Sequence, residues 1–133
     1  DLYDVMMLRQ EVFVVEQNCP YMDADGRDSE AMHLLGWKGK TLVAYVRAFA
    51  PGVIYEEASI GRVVTSPSIR GTGQGRPLMR EAIRCSDQTW GQVPIKISAQ
   101  SHLETYYGSL GFQVCGDGYL EDGIPHLPMC LSR

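Results

Sequence analysis

Six consecutive residues, Arg70-Gly71-Thr72-Gly73-Gln74-Gly75, carry the most chemistry in this chain. They follow an apolar segment, residues 60–65, whose composition predicts a strand. After them Leu78, Met79, Ala82, Ile83 and Ser86, small or apolar at i, i+4 spacing, predict a helix with one buried face. A helix that opens after glycines, with no acid in its first turn, presents unpaired N–H groups and the positive end of its dipole. Such a terminus holds anions, most naturally a phosphate. Two common phosphate loops do not fit. A P-loop closes with Gly-Lys-Ser/Thr, whereas Gly75 is followed by Arg76 and Pro77, which argues against nucleotide hydrolysis. A dinucleotide fingerprint needs its third glycine where Arg76 stands, early in a repeated strand-helix-strand unit.

The pattern Gln/Arg-x-x-Gly-x-Gly/Ala is met by Arg70, Gly73 and Gly75, and further on Tyr107-Gly108-Ser109-Leu110-Gly111-Phe112 gives Tyr-x-x-x-Gly-Phe. In this order, the two motifs resemble the acetyl-CoA pyrophosphate loop and the closing signature of the GNAT superfamily of N-acetyltransferases. The stretch from Leu8 to Gln17 and the run Gly123-Ile124-Pro125-His126 look like the ElaA-like branch of that superfamily, and the resemblance spans nearly the whole chain. It implies an α/β (α+β) GNAT fold, a mixed and mostly antiparallel sheet with flanking helices and a V-shaped opening between the central strands. It implies acetyl-CoA as co-substrate, its pyrophosphate on Arg70, Gly71, Thr72, Gly73, Gln74 and Gly75. The backbone of Val63, Val64 and Thr65 would pair with the pantetheine amides. Gln100 and Leu103 stand where the family often has Asn and Ala, which puts Gln100 among the cofactor contacts. A first strand and the start of the first helix are expected to precede Asp1.

Acetyl transfer to an amine needs a base for the amine's proton, a fixed donor for the oxyanion of the tetrahedral intermediate, and an acid for the departing thiolate. No covalent enzyme intermediate is required. By the resemblance Tyr107 is the acid, since a phenol of unperturbed pKa near ~10 stays protonated at neutral pH and can protonate a thiolate of similar basicity. Tyr106 is expected to pack. A backbone N–H at Val63 or Val64 would meet the oxyanion. Glu56 and Glu57 precede the central strand, which leaves His126 ahead of His102 as the base on chemical grounds, with His33 structural. A module of the same fold that only binds acyl-CoA or a partner protein is the alternative. It would be expected to lose the glycine loop or Tyr107, and this chain has both.

Several elements must position these groups. Leu2, Val5, Met6, Arg9, Val12 and Phe13 form a helical stripe, and in a GNAT-type fold that helix borders the substrate cleft. The loop over residues 18–30 carries Asp23, Asp25, Asp28 and Glu30. Aligning its Gly26 to a calcium-loop glycine puts Tyr21 and Met32 where carboxylates are required, so it is expected to be solvated and to attract a cationic substrate. Residues 33–37 and 42–49 flank Lys38-Gly39-Lys40 and predict a hairpin of internal strands, apolar on both faces. Arg47 and Arg62 are misfits on such strands: each either pairs with a surface carboxylate or orients substrate in the cleft. Pro77 predicts a displaced or bent helix start. A strand over 95–98, a short helix over 102–110 stopped by Gly111, a strand over 112–115, a turn over 121–123 and a last strand over 124–131 come next. Pro125 and Pro128 restrict that last strand to an edge or to irregular pairing.

The 133 residues read as one domain, 1–133, with 44% hydrophobic and 21% charged residues, values ordinary for a folded globular chain. A net charge of -4 argues against nucleic acid or an anionic membrane as partner. It suits a cationic acceptor: a small amine, a peptide N-terminus or a lysine. Cys19, Cys85, Cys115 and Cys130 form no Cys-x-x-Cys pair and no ligand set with the histidines, so no metal is expected, and the thiols read as reduced and cytoplasmic. No run approaches the ~20 apolar residues of a membrane span. The proline-bearing edge strand leaves a homodimer open.

Overall fold

The computed structural model describes residues 2–12, 26–67 and 75–133. The first helix, α1 (Leu2–Arg9), runs on into a π-type turn over residues 10–12 and buries Val5, Leu8 and Val12. Two hairpin strands come next, β1 (Met32–Lys38) and β2 (Thr41–Phe49), joined through Gly39 at a φ of +63°. The central strand β3 (Ala58–Thr65) precedes helix α2 (Gly75–Trp90). Strand β4 (Ile95–Gln100) leads through a 3₁₀ turn (Ser101–Leu103) into the short helix α3 (Glu104–Gly108). Strands β5 (Gln113–Val114), β6 (Tyr119–Glu121) and β7 (Ile124–Leu131) complete the order.

Among the described residues these strands make one seven-stranded sheet in the order β1-β2-β3-β4-β7-β5, with β6 also on β7. Every pairing is antiparallel except β3 with β4. Period-two alternation assigns the faces. Ala44, Val46 and Ala48 of β2 join Ile60, Ile95, Ile97, Ala99 and Met129 in a core that includes Leu78, Met79 and Ala82 of α2. Tyr45 of β2, with Leu42 and Val64, packs instead with Val5, Leu8 and Val12 of the first helix. No helix among the described residues is long and apolar enough to cross a membrane.

Four expectations change. The hairpin is not a pair of internal strands: β2 is buried from Leu42 to Phe49, but β1 stands at the end of the described sheet and is half-exposed or exposed along its length. Pro77 does not displace the helix, because a start at Gly75 puts it in the first turn, where an N–H would have no intrahelical partner anyway. The last strand is no edge. β4 flanks β7 from Ile95↔Leu131 to Gln100↔His126, while β5 and β6 share its other side. The irregular alternative is what forms, with Pro128 falling between the two short partners. Residues 102–110 are not one helix either: the chain turns in 3₁₀ geometry before α3, and Gly111, at a φ of +101°, ends the turn.

Candidate active site

The parallel pair at the middle of the sheet is short. β3 and β4 meet only at Ala58↔Ile95 and Ser59↔Lys96. Beyond these rungs each strand keeps only its outer neighbour, and the two diverge around a cleft of about 550 Å³, within the usual size of a small-ligand site. Val12 closes one part of it, residues 60–65 of β3 line one side, and Ser98 and Gln100 of β4 line the other. Met79 of α2, His102, Tyr107 of α3, Glu121 and His126 complete the wall. Two parted strand edges face each other across it, the arrangement that an amide-bearing arm can complete.

β3 does not run straight into this gap. Arg47 of β2 faces Gly61 and Tyr45 faces Val64, so Val46 alone stands opposite Arg62 and Val63. That is a β-bulge, and it holds Arg62 at a φ of +49°, a region that costs a side-chain-bearing residue roughly 1 kcal/mol or more. Arg62 and Val63 both line the cleft. Of the two expected oxyanion donors, Val63 is in the bulge and Val64 is in register with Tyr45.

Tyr107 lies in this wall, 9% exposed, edge-on to Tyr106 and Phe112 at ring distances of 5.1 and 6.1 Å. Burial, and after it the charge of a neighbouring Tyr106 phenolate, push its phenol up to about 12. His126 is 7% exposed. Its Nδ1 is 2.7 Å from the Ile124 carbonyl, which can only accept, so Nδ1 carries a proton in either charge state and Nε2 is the nitrogen that exchanges one. Nε2 stands 3.4 Å from Oε2 of Glu121, and Tyr119 stacks on the ring at 6.1 Å. Both partners arrive on β6, whose Tyr119 pairs with His126. Sequence reasoning missed Glu121 and the whole of β6; the turn at residues 121–123 was the visible signal. His102 reaches the cleft at its exposed rim, while Glu56 and Glu57 do not line it.

Arg47 takes the carboxylate rather than the cleft. It lies outside the cleft wall, 5% exposed, with Nη1 3.1 Å from Oδ1 of Asp28, the same oxygen that receives Nη1 of Arg9 at 2.8 Å. Burial raises the Asp28 carboxyl, but the hydrogen bonds and charges of the two guanidiniums outweigh it and hold it below its ordinary value. His33 is structural: its Nε2 donates to the Asp28 carbonyl at 2.9 Å, and in the neutral ring Nδ1 accepts from the Tyr45 hydroxyl at 2.5 Å. Asp28 thus joins the first helix and β2; Asp23 and Asp25 lie outside the described residues. Among the described residues no group of three or more His, Cys, Asp or Glu side chains could hold a metal ion.

Of the expected pyrophosphate loop, Arg70, Gly71, Thr72, Gly73 and Gln74 lie outside the described residues, and Gly75 opens α2. A Cβ on Gly75 would stand 3.2 Å from the Tyr106 hydroxyl, so a larger residue is crowded there. No acid occupies the first turn of α2. Arg76 donates to the Ser109 hydroxyl at 2.6 Å with its guanidinium 5.6 Å from the Tyr106 ring centre, which keeps a fixed cation at this helix terminus.

An open mixed sheet parted at its central parallel pair, with a helix covering the parted strands, is the acyl-CoA N-acyltransferase architecture. A solved acyl-CoA N-acyltransferase from Pseudomonas aeruginosa superposes with a TM-score of 0.94 at 44% identity, over 98% of this chain and 89% of that one. Residues 11–133 match the family described as Acetyltransferase (GNAT) domain, and the chain belongs to that family, in its ElaA-like branch. It is 44% identical to the protein ElaA of Escherichia coli over 96% of this chain and 85% of ElaA, whose crystal structure superposes with a TM-score of 0.89. A UPF0039 protein of Synechocystis is 45% identical, over 96% of this chain and 84% of its own length.

Proposed function

We propose that the protein transfers an acetyl group from acetyl-CoA to a primary amine by direct attack. The observation that carries this reading is that Tyr107, His126 and the Val63 bulge line one cleft. The co-substrate's phosphates would lie at the start of α2, toward Arg70 to Gly75 and the Arg76 cation, with pantetheine amides along Val63, Val64, Thr65 and Gln100. The acceptor amine enters beside Glu121. Its nitrogen attacks the thioester carbonyl as Nε2 of His126 takes its proton, and the oxyanion is met by the N–H of Val63, a bulge residue with no β2 residue in register. Collapse breaks the carbon–sulfur bond, and the Tyr107 phenol protonates the leaving thiolate. Support for an acyl-CoA donor comes from the P. aeruginosa relative, described as an acyl-CoA N-acyltransferase.

The test is a panel of small amines, peptide N-termini and lysine peptides incubated with acetyl-CoA, with free thiol released as the readout and coenzyme A affinity measured by calorimetry. Amine-dependent thiol release is expected. Coenzyme binding without release on any amine is the outcome of the second reading, a non-catalytic acyl-CoA module. No coenzyme binding at millimolar concentration overturns both.

A further inference from the structure

The seam between β5 and β7 brings together two thiols that acetyl transfer does not use. Gln113 faces Cys130 and Val114 faces Met129, and the Cys115 N–H donates to the Pro128 carbonyl at 2.9 Å. Cys115 therefore stands one step further along β5, on the side of the sheet that Gln113 shares with Cys130, and the two cysteines are diagonal same-face neighbours. Cys115 is exposed and Cys130 half-buried, and both are free thiols. Burial first, and next the facing Cys115 thiol, push the Cys130 thiol up to about 12, while the Lys96 ammonium beside it, in register on β4, pulls the other way.

The segment after Cys115 gives the pair its consequence. The linker Gly116-Asp117-Gly118 runs close along β7: a Cβ on Gly116 would lie 3.0 Å from Cγ of Pro128, and one on Gly118 would lie 3.4 Å from the His126 carbonyl oxygen. The linker enters β6 directly, and β6 holds Tyr119 on the His126 ring and Glu121 in the cleft wall. We propose that Cys115 and Cys130 are a redox-active pair that closes into a cross-strand disulfide and so fixes the linker that carries Tyr119 and Glu121 to the cleft.

The oxidant is a low-molecular-weight disulfide. The exposed Cys115 thiolate attacks one of its sulfurs, that S–S bond breaks, and the first small thiol leaves with the proton. Cys130 then attacks the Cys115 sulfur, and the second small thiol leaves with the Cys130 proton. Two cysteine thiols lose two electrons, and one disulfide becomes two thiols. The first step also removes the charge on Cys115, one cause that holds the Cys130 thiol protonated. Diagonal neighbours stand ~7–8 Å apart at Cα, and a disulfide needs less than about 7 Å, so closure must draw Cys115 toward β7. β5 is two exposed residues long and is followed by two glycines, so few contacts oppose that shift.

The experiment incubates the full chain with glutathione disulfide, alkylates the remaining thiols and maps the peptides. Expected are a dithiothreitol-reversible link between the Cys115 and Cys130 peptides and slower amide exchange over residues 115–121 in the oxidised protein. Cys130→Ser should retain glutathione on Cys115, an adduct the unsubstituted chain resolves, and Cys115→Ser should form neither link nor adduct at Cys130. Stable adducts on both cysteines, no link, or a link that leaves exchange over 115–121 unchanged would overturn the proposal. None of these readouts requires acetyl transfer.

Discussion

Tyr107 keeps its proton well beyond neutral pH because burial raises its phenol to about 12. Tyr107→Phe is expected to lower kcat by about 10- to 10³-fold while coenzyme A affinity by calorimetry is retained, and an unchanged kcat removes Tyr107 from the mechanism. The same shift has a stability consequence. The folded pKa lies above the unfolded value of ~10, so the contribution is complete below pH 10 and disappears as pH rises toward 12. Denaturation midpoints measured across that window should fall more steeply for the unsubstituted protein than for Tyr107→Phe. His126→Gln is expected to lower kcat while coenzyme A affinity is retained, and an unchanged kcat removes His126 from the mechanism. Tyr107 and His126, which both line the cleft, were legible as candidates in the sequence, one through its motif and one through its chemistry. Glu121 was not, since it reaches Nε2 of His126 only once a three-residue strand pairs across residues 122 and 123.

β3 holds its cleft-facing groups in place by a departure from regular pairing. In Ile60-Gly61-Arg62-Val63-Val64 the glycine is the one hint of a bulge, but where the extra residue falls is set by the register against the preceding strand, β2. At a φ of +49° a side chain is strained, so Arg62→Gly should be more stable than Arg62→Ala by about 1 kcal/mol in urea unfolding, the reverse of the order in a regular strand. The tie between the first helix and β2 makes a second prediction. Asp28 faces two guanidiniums that are 1% and 5% exposed, and Asp28→Asn is expected to cost about 3 kcal/mol, the low end for uncovering buried charge. Its folded pKa is depressed, so that stabilisation is present above ~4 and is lost as pH falls through the folded value. The gap between the unsubstituted protein and Asp28→Asn should therefore shrink on acidification. Arg47 was visible as a cation on an apolar strand, but its carboxylate partner was one acid among four in a loop.

The whole molecule shows which long-range features composition and periodicity can reach. A mixed sheet with flanking helices and parted central strands was legible through the family resemblance. The place of β7 was not, because prolines at 125 and 128 read as edge signals, whereas Pro128 falls between β5 and β6 and Pro125, paired with Leu120 of β6, lies beyond the end of the β4 pairing. A ligand that binds only the folded chain adds its binding free energy to stability, about 2.7 kcal/mol at a hundredfold excess over Kd. Coenzyme A at that excess is expected to raise the unfolding midpoint accordingly, and an unmoved midpoint would count against the acyl-CoA reading.

Ala58 and Ser59 are the only rungs between β3 and β4, so the backbone there is fastened like a zip left open from its second tooth. A guest whose amides complete the missing rungs mends the sheet as it is received. Cohesion at that line is then a property of the loaded molecule, and main-chain amide exchange from residue 60 on β3 and residue 97 on β4 should slow when the guest is present.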